Sequence, residues 1–598
     1  MHGQPIAPRT RTPHPAVPEL PSSGTATTDD GGPLIVDTLS PAAAVASLAL
    51  SAPQTLSITS DRGDLSAAAL TDQVSRLAAH LTAIGTRPGH RVAHVGRNSP
   101  ATLVTVLACA WTGAVAVPLS FRLAPAELAT TLAHCGATAV VVGRGSVATA
   151  VEAQPLLDHV RWIVDDEHQS TSSAPAPGTV LAGREPDLTV HAPDPTVRES
   201  DLAVHKAGLA GWDRLGWDSL SALGEVPDAA RTDPLPRDGD DLAVLLYTSG
   251  TSGRPKGVML TWGNLAWATR NIESEIETRP DDVTLAVAPM FHVGGLNALT
   301  LSTLVRGGTV VVRETFDAQR TLVDLRDGQI TSVFGVPAMF AAIARCPDFA
   351  TSDLSGVRAA LVAGALVPEG LLADYLSRGI RLQTSWGMTE TAPAVTCVPR
   401  NLTASKPGSA GRPLPYTEVR LRDRAGDLVT EPGTTGEITV RGPNVTRGYW
   451  ADAEATSAVL SPDGWLRTGD LALWDEDGFV TIVGRCTDMI NTGGEKVYPA
   501  EVERALCDLP GVSEVVVLGV PDPTWGETVA AVLECPVPVD IEVVQAVAAR
   551  TIARYKLPRV LLCLPELPRT DSGKVDRRGL RDTLNAAARD APPAPASP

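Results

Sequence analysis

Apolar positions along this chain alternate between two periods. Residues 65–84 carry them at helical spacing, whereas Arg91–Gly96 is short and mostly apolar, which predicts a strand. Ser99-Pro100 then supplies a helix start with proline in the first turn, and the helix it opens runs to about Trp111. "AVAVPL" (114–119) reads as a strand, 124–135 as a helix and "TAVVVG" (138–143) as a strand. Repeated βα units of this kind predict a mainly parallel sheet covered by helices.

The pattern breaks between about 165 and 240, where "STSSAPAPG" and "HAPDPTVRES" are poor in apolar residues and rich in Pro and Ser; this predicts an irregular insertion. The βα alternation resumes at Asp241 and continues to about Val398. "GSAGRPLPYTEVRLRD" and "GEITVRGPNVTRGYW" then suggest a β-rich segment. Beyond Arg485 a compact α+β unit is predicted, with helices at 499–508 and 541–553 and strands at 513–520, 528–534 and 559–564. The expected fold class is α/β. A large N-terminal domain (31–484) combines doubly wound βα sheets with a β-rich subdomain, and a small α+β domain (485–587) follows. Residues 1–30, with six prolines and no long apolar stretch, and 588–598 are expected to be disordered tails.

Composition narrows the field. A chain of 598 residues is too long for one ordinary core. A formal net charge of −18 makes nonspecific nucleic-acid or anionic-membrane binding a poor fit, so any phosphate site must be a local positive island. Eight scattered cysteines without a Cys-x-x-Cys pair signal neither a zinc site nor a disulfide framework, and suit a reducing cytoplasm. Nothing approaches the ~20 apolar residues of a membrane span.

Against this background "YTSGTSGRPKG" (247–257) stands out, because small polar residues follow directly on the apolar run 242–246. Glycines let backbone N–H groups approach an anion closely, hydroxyls add donors, and Arg254 and Lys256 add charge. The stretch is not a Walker A loop, since Lys256 is followed by Gly257 rather than Ser or Thr. Further polar stretches lie downstream: "APMFHVGG" with His292, "TSWGMTE" with Trp386, Thr389 and Glu390, "DGWLRTGD" ending in Asp470, "GRCTDMINTGGEKVYPAEVE" beginning at Gly484, and "LPRTDSGKVDRR" with Lys574. Each alone has a structural explanation: a satisfied histidine, a helix cap, a turn or ordinary surface charge.

As an ordered set these stretches resemble the adenylate-forming superfamily over roughly residues 35–585, most closely its bacterial acyl- and aryl-CoA ligases. The resemblance implies activation of a carboxylate by ATP as acyl-AMP, followed by displacement of AMP by a thiol, commonly CoA. It implies that Thr248, Ser249, Gly250, Thr251, Ser252, Gly253 and Lys256 hold phosphates, that Glu390 binds Mg²⁺ beside Thr389, and that Gly364-Ala365 and Trp386 sandwich the adenine. Asp470 would hold the ribose hydroxyls, and Arg485 would contact the ribose or a nearby phosphate. Lys574 would bridge the carboxylate and the α-phosphate. The C-terminal domain would be mobile, rotating to bring either Lys574 or a tunnel loop with Gly493 and Gly494 to the site.

Three positions depart from the commonest pattern: Trp386 where Tyr is usual, Thr487 at a hinge position usually Asp or Lys, and Trp262 after Leu260-Thr261. Proline at 487 is expected to trap the state with Lys574 engaged. His292 stands where enzymes for α-amino acids usually have Asp. Leu296 stands where some long-chain relatives have a gating Trp, and is expected to line acyl space. The acyl pocket is expected from Phe291–Leu296, Phe334–Met339 and Val362–Leu366, which suits an uncharged acid, aliphatic or aryl. A carrier protein in place of CoA, an enzyme limited to one half-reaction, and a non-catalytic scaffold are alternative readings, and a homodimer is compatible with all of them.

Overall fold

A computed structural model describes residues 40–157, 159–165, 218–220, 223, 233–249, 255–492, 495–507, 509–522, 525–570 and 573–590. The expected tails and most of the insertion at 165–240 lie outside these residues.

The βα alternation builds two large sheets. One has seven strands in the order Asp218–Ser219, Arg161–Val164, Ala137–Val142, Arg91–Val95, Val115–Leu119, Leu242–Ser249 and Pro255–Thr261. Its neighbours are parallel except for the last pair, which is antiparallel. The other has nine strands, parallel from Leu382–Trp386 through Ala359–Ala363, Ser332–Gly335, Val283–Ala286 and Thr309–Val312 to Leu56–Ser60, with antiparallel strands at both edges.

One core cluster draws Val92, Ala116 and Val244 from the first sheet, and Ile58, Ala286 and Val310 from the second, around the helix Pro100–Thr112. Every residue of that helix is buried. Its sequence, PATLVTVLACAWT, is apolar almost all round, as a helix must be when both faces meet protein. The expected helices at 65–84 and 124–135 are present as Ala67–Ala83 and Pro125–Cys135.

The β-rich segment is an antiparallel sheet of Glu418–Arg422, Gly436–Arg441, Leu466–Trp474 and Val480–Arg485. The C-terminal unit centres on the long hairpin Glu514–Asp522 and Gly526–Glu534, with Val560–Leu564 parallel to its second arm. Apolar clusters cover both faces of this sheet. The helix expected at 541–553 ends earlier, at Ala548. Gln545 donates to the Pro558 carbonyl at 2.7 Å, tying the helix to the turn that leads into the last strand.

Thr487 lies in the connection between the four-stranded sheet and the C-terminal sheet. The Asp488 N–H donates to the Arg485 carbonyl at 3.1 Å, closing a turn over Cys486 and Thr487. Neither central residue has a positive φ, which makes it a type I turn.

Candidate active site

The stretch expected to bind phosphate folds as part of a β-hairpin. The strand that begins in the apolar run continues to Ser249, because Tyr247, Thr248 and Ser249 pair with Gly257, Lys256 and Pro255 of the returning strand. Thr248 and Lys256 therefore flank the tip, while Gly250, Thr251, Ser252 and Gly253 lie outside the described residues. Thr261 ends the hairpin and caps the next helix: its side chain accepts from the Asn264 N–H at 3.1 Å, and Asn264 Oδ1 accepts from the Thr261 N–H at 3.0 Å. Trp262, the departure noted above, is the first residue of that helix and is buried in the core.

A third segment locks against the hairpin. Trp450 N–H donates to the Gly257 carbonyl at 2.7 Å, and Met259 N–H to the Gly448 carbonyl at 3.0 Å. Between them Tyr449 is buried, with its hydroxyl donating to Glu390 Oε1 at 2.8 Å. The ammonium of Lys256 stands over the same ring, 4.9 Å from its centroid. Gly448 holds φ at +122°, and a Cβ there would stand 2.3 Å from the Thr456 side chain, so only glycine fits before this tyrosine. Glu390 is 6% exposed, on a short helical turn with Thr389. Burial pushes its pKa up, and the Tyr449 hydroxyl opposes that shift.

Trp386, at the end of a parallel strand, donates from its indole N–H to Asp470 Oδ2 at 3.0 Å. Arg485 Nε meets Asp470 Oδ1 at 2.8 Å. Asp470 is 5% exposed; burial raises its pKa, with Arg485, the Trp386 N–H and Lys574 acting against the shift. A carboxylate has about four acceptor positions, so these two donors leave room for two hydroxyls.

Lys574 comes from the other unit. A Cβ built on Gly364 would stand 3.3 Å from its Cε and 3.7 Å from its Nζ. Gly364 has φ +94°, and its exposed neighbour Ala365 continues the same rim. Solvent reaches Lys574 along the cleft, yet both units crowd around it. That crowding lowers its pKa, Arg485 adds to the effect, and Asp470 opposes it. The structure thus gathers Lys256, Glu390, Trp386, Asp470, Arg485, Gly364 and Lys574 about one cleft. Gly493 and Gly494 lie outside the described residues.

Of the segments expected to line the acyl pocket, Phe334–Met339 reaches the same place through Val336. Val336 is 3.5 Å from the Cβ position of Gly364 and 3.9 Å from that of Gly573. Phe334, Val336 and Met339 are half-buried. His292 is half-buried too, with its ring 4.5 Å from that of Phe291. Leu296 does not line open space as expected. It is wholly buried, in the cluster that holds Met290, Val293 and Leu301, because a π-helical turn at Gly294–Ala298 rotates it inward. Leu296→Trp is therefore expected to cost about 1–3 kcal/mol of stability by overpacking. A thermal melt should show the lower midpoint, and kcat/KM should fall equally along a chain-length series of acids. A selective shift towards short acids would show that Leu296 does line the pocket.

Comparison with known proteins now decides the family. Residues 47–450 match the AMP-binding enzyme model and residues 501–574 match the AMP-binding enzyme C-terminal domain. The chain belongs to the AMP-binding enzyme family. It is an acyl-CoA ligase that works through an acyl-adenylate, using ATP and CoA. Feruloyl-CoA synthase of an Amycolatopsis species is 41% identical over 516 residues, covering 86% of this chain and 92% of the relative. Indoleacetate–CoA ligase of Aromatoleum aromaticum is 38% identical over 531 residues, covering 87% and 93%. ATP-bound MatB from Rhodopseudomonas palustris superposes with a TM-score of 0.74 at 28% identity, covering 91% of this chain and 99% of that one. Among the described residues, no helix is long and apolar enough to cross a membrane.

Two features of the family site were not legible in its motifs. Tyr449 lies inside the β-rich stretch "GEITVRGPNVTRGYW"; its signal is the aromatic pair that directly follows Gly448. The Trp386–Asp470 hydrogen bond depends on the departure from Tyr at 386. Trp386→Phe keeps a ring but removes the donor. A hydrogen bond to a charged acceptor, at about 1.5 kcal/mol, corresponds to roughly a tenfold rise in KM for ATP. Steady-state kinetics should show that rise with kcat near wild type, and an unchanged KM would show that the indole N–H does not orient Asp470.

Proposed function

We propose that the acid is an uncharged aryl acid with a short spacer between ring and carboxyl, and that one cleft performs adenylation with the residues assembled above. The observation that carries this reading is the position of Lys574 beside Gly364 and Val336, where the acyl lining meets the nucleotide rim. Phe334, Val336 and Met339 offer apolar surface with no charged side chain among them. Relatives at 41% and 38% identity are named for feruloyl and indoleacetate substrates, which are acids of this kind.

The first step brings two anions together, so cations and fixed donors must offset their repulsion. Thr248, Ser249, Lys256 and the glycines and hydroxyls of 250–253 hold the departing pyrophosphate. Trp386 and Gly364-Ala365 enclose the adenine. Asp470, oriented by Trp386 and Arg485, accepts the ribose hydroxyls. Lys574 donates to the carboxylate and the α-phosphate as charge builds there. His292, beside Phe291, closes the acyl side.

Glu390 fits Mg²⁺, a hard cation that keeps waters and phosphate oxygens and needs few protein ligands. Tyr449 occupies one carboxylate oxygen, leaving Oε2 for the cation. Among the described residues no cluster of three or more His, Cys, Asp or Glu could hold a metal alone. Bound Mg²⁺ would neutralise phosphate charge; Thr389 would contact the same phosphate. For the second step, residues 485–587 rotate about Thr487, and the loop with Gly493 and Gly494 lines the thiol's approach. We place the enzyme in the cytoplasm, where ATP and CoA are supplied.

The test is pyrophosphate release from ATP with ferulic acid, indoleacetic acid and straight-chain acids of similar length. The aryl acids should give the higher kcat/KM; a clear preference for the straight chains would overturn the substrate reading. Offering CoA or a phosphopantetheinylated carrier to the acyl-adenylate separates the two acceptors, with CoA expected. Light scattering on the same preparation tests a homodimer.

A further inference from the structure

Tyr449 does not itself meet nucleotide or acid in the proposed reaction, yet it touches both Lys256 and Glu390. Its hydroxyl donates to Glu390 Oε1 at 2.8 Å. Its ring face carries the Lys256 ammonium at 4.9 Å. Both partners come from distant parts of the chain, and both lie on backbone that the tyrosine's own segment holds. Thr446 N–H donates to the Glu390 carbonyl at 2.8 Å, and Val258 forms an antiparallel bridge with Tyr449 itself. Tyr449 N–H is in turn fixed by Thr456 Oγ1 at 2.9 Å.

We propose that Tyr449 is a positioning residue that sets the spacing between the phosphate-binding ammonium of Lys256 and the cation-binding carboxylate of Glu390, resting on the roles proposed for those two. The physical case has two parts. A carboxylate that has lost its water needs a fixed donor on the oxygen not given to a cation, and the phenol supplies one without adding charge. A lysine ammonium on a flexible stem gains orientation from an aromatic face, whose quadrupole attracts it without neutralising it. An acidic partner at that place would hold Lys256 more tightly, but would cancel the charge the phosphates need. One rigid side chain thus places a positive group and a negative group at a set separation, as a nucleotide carrying its own divalent cation requires.

Two variants separate the parts. Tyr449→Phe keeps the ring under Lys256 and removes only the donor to Glu390. Tyr449→Leu removes both. The readouts are calorimetric binding of ATP at stepped Mg²⁺ concentrations, and the Mg²⁺ dependence of pyrophosphate release. Tyr449→Phe should raise the Mg²⁺ concentration for half-maximal binding and release about tenfold, the equivalent of one hydrogen bond to a charged acceptor. ATP affinity at saturating Mg²⁺ should stay close to wild type. Tyr449→Leu should also weaken ATP binding at saturating Mg²⁺ several-fold, as loss of a cation–π contact would. In a Glu390→Gln background, Tyr449→Phe should add nothing to the Mg²⁺ requirement. A folded Tyr449→Phe protein with a lower melting temperature and an unchanged Mg²⁺ titration would overturn the proposal and leave Tyr449 as core packing. If Glu390→Gln alone leaves the titration unchanged, it is the role of Glu390 that fails. Should Tyr449→Leu not fold, Lys256→Met replaces it. With the Lys256 charge gone, Tyr449→Phe should still shift the Mg²⁺ requirement, and no shift there would overturn the coupling to Glu390.

Discussion

Lys574→Ala is expected to slow acid-dependent pyrophosphate release by about 10²–10³, the loss associated with one preorganised donor at a developing charge. Its ammonium lies against the Gly364 rim, where carboxylate and α-phosphate would meet, while the nearby Arg485 is paired with Asp470. Conversion of supplied acyl-AMP to the CoA thioester should change far less, because in the rotation proposed for the second step Lys574 leaves the site. Single-turnover assays of the two half-reactions decide it, and an equal loss in both would remove Lys574 from the reacting centre. A pH effect follows from the same surroundings. Crowding lowers the Lys574 pKa, with Arg485 adding to the shift. The charged form needed for adenylation is therefore present at low pH and lost as pH rises through the lowered value. The rate of adenylation should fall at a lower alkaline pH than an unperturbed lysine would give, while the thioester step lacks that limb.

Thr487→Pro is expected to abolish most adenylation, the reverse of what its sequence position suggests. Read as a hinge residue alone, a proline there should trap the Lys574-engaged state. In the structure, where Lys574 lies against Gly364, Thr487 is at the third position of a type I turn. Proline is disfavoured at that position, because it drives the preceding residue out of the helical region. Here the preceding residue is Cys486, whose N–H donates to the Gly469 carbonyl at 2.8 Å, next to Asp470. The proline variant should thus lose the engaged state, slow pyrophosphate release by an order of magnitude or more, and still convert supplied acyl-AMP. Retained adenylation with lost thioester formation would show that the turn does not hold the engaged state. Normal overall turnover would show that Thr487 is not the hinge.

Several elements were legible because their signal is local. The wholly buried helix Pro100–Thr112 shows itself as a run that is apolar all round behind a Ser-Pro start. The C-terminal strands and helices follow from period and punctuation, and their ends shift by only a few residues. The site motifs were legible as an ordered set, since each carries its residue types on consecutive positions. Leu296 is buried rather than facing acyl space, because its position in the chain says nothing about which way a π-helical turn rotates it. Composition puts the start of the loop expected to bind phosphate where the apolar run stops. Hydrogen bonds from the returning strand extend the ladder through Ser249, against the local preference of small polar residues for turns.

By itself, then, the sequence determined the α/β class, the segment order and the inventory of charged and hydroxyl groups, because periodicity and composition report burial one residue at a time. Tertiary structure alone decided which of those groups meet. The Lys574 contact with Gly364 spans two units, the Tyr449 bond to Glu390 joins a β-rich segment to the end of a parallel sheet, and the Trp386 indole finds Asp470 on a different sheet. Such pairings are set by how whole sheets pack and cross. The free energy that fixes them is buried area summed over hundreds of residues, and no short stretch of sequence carries it.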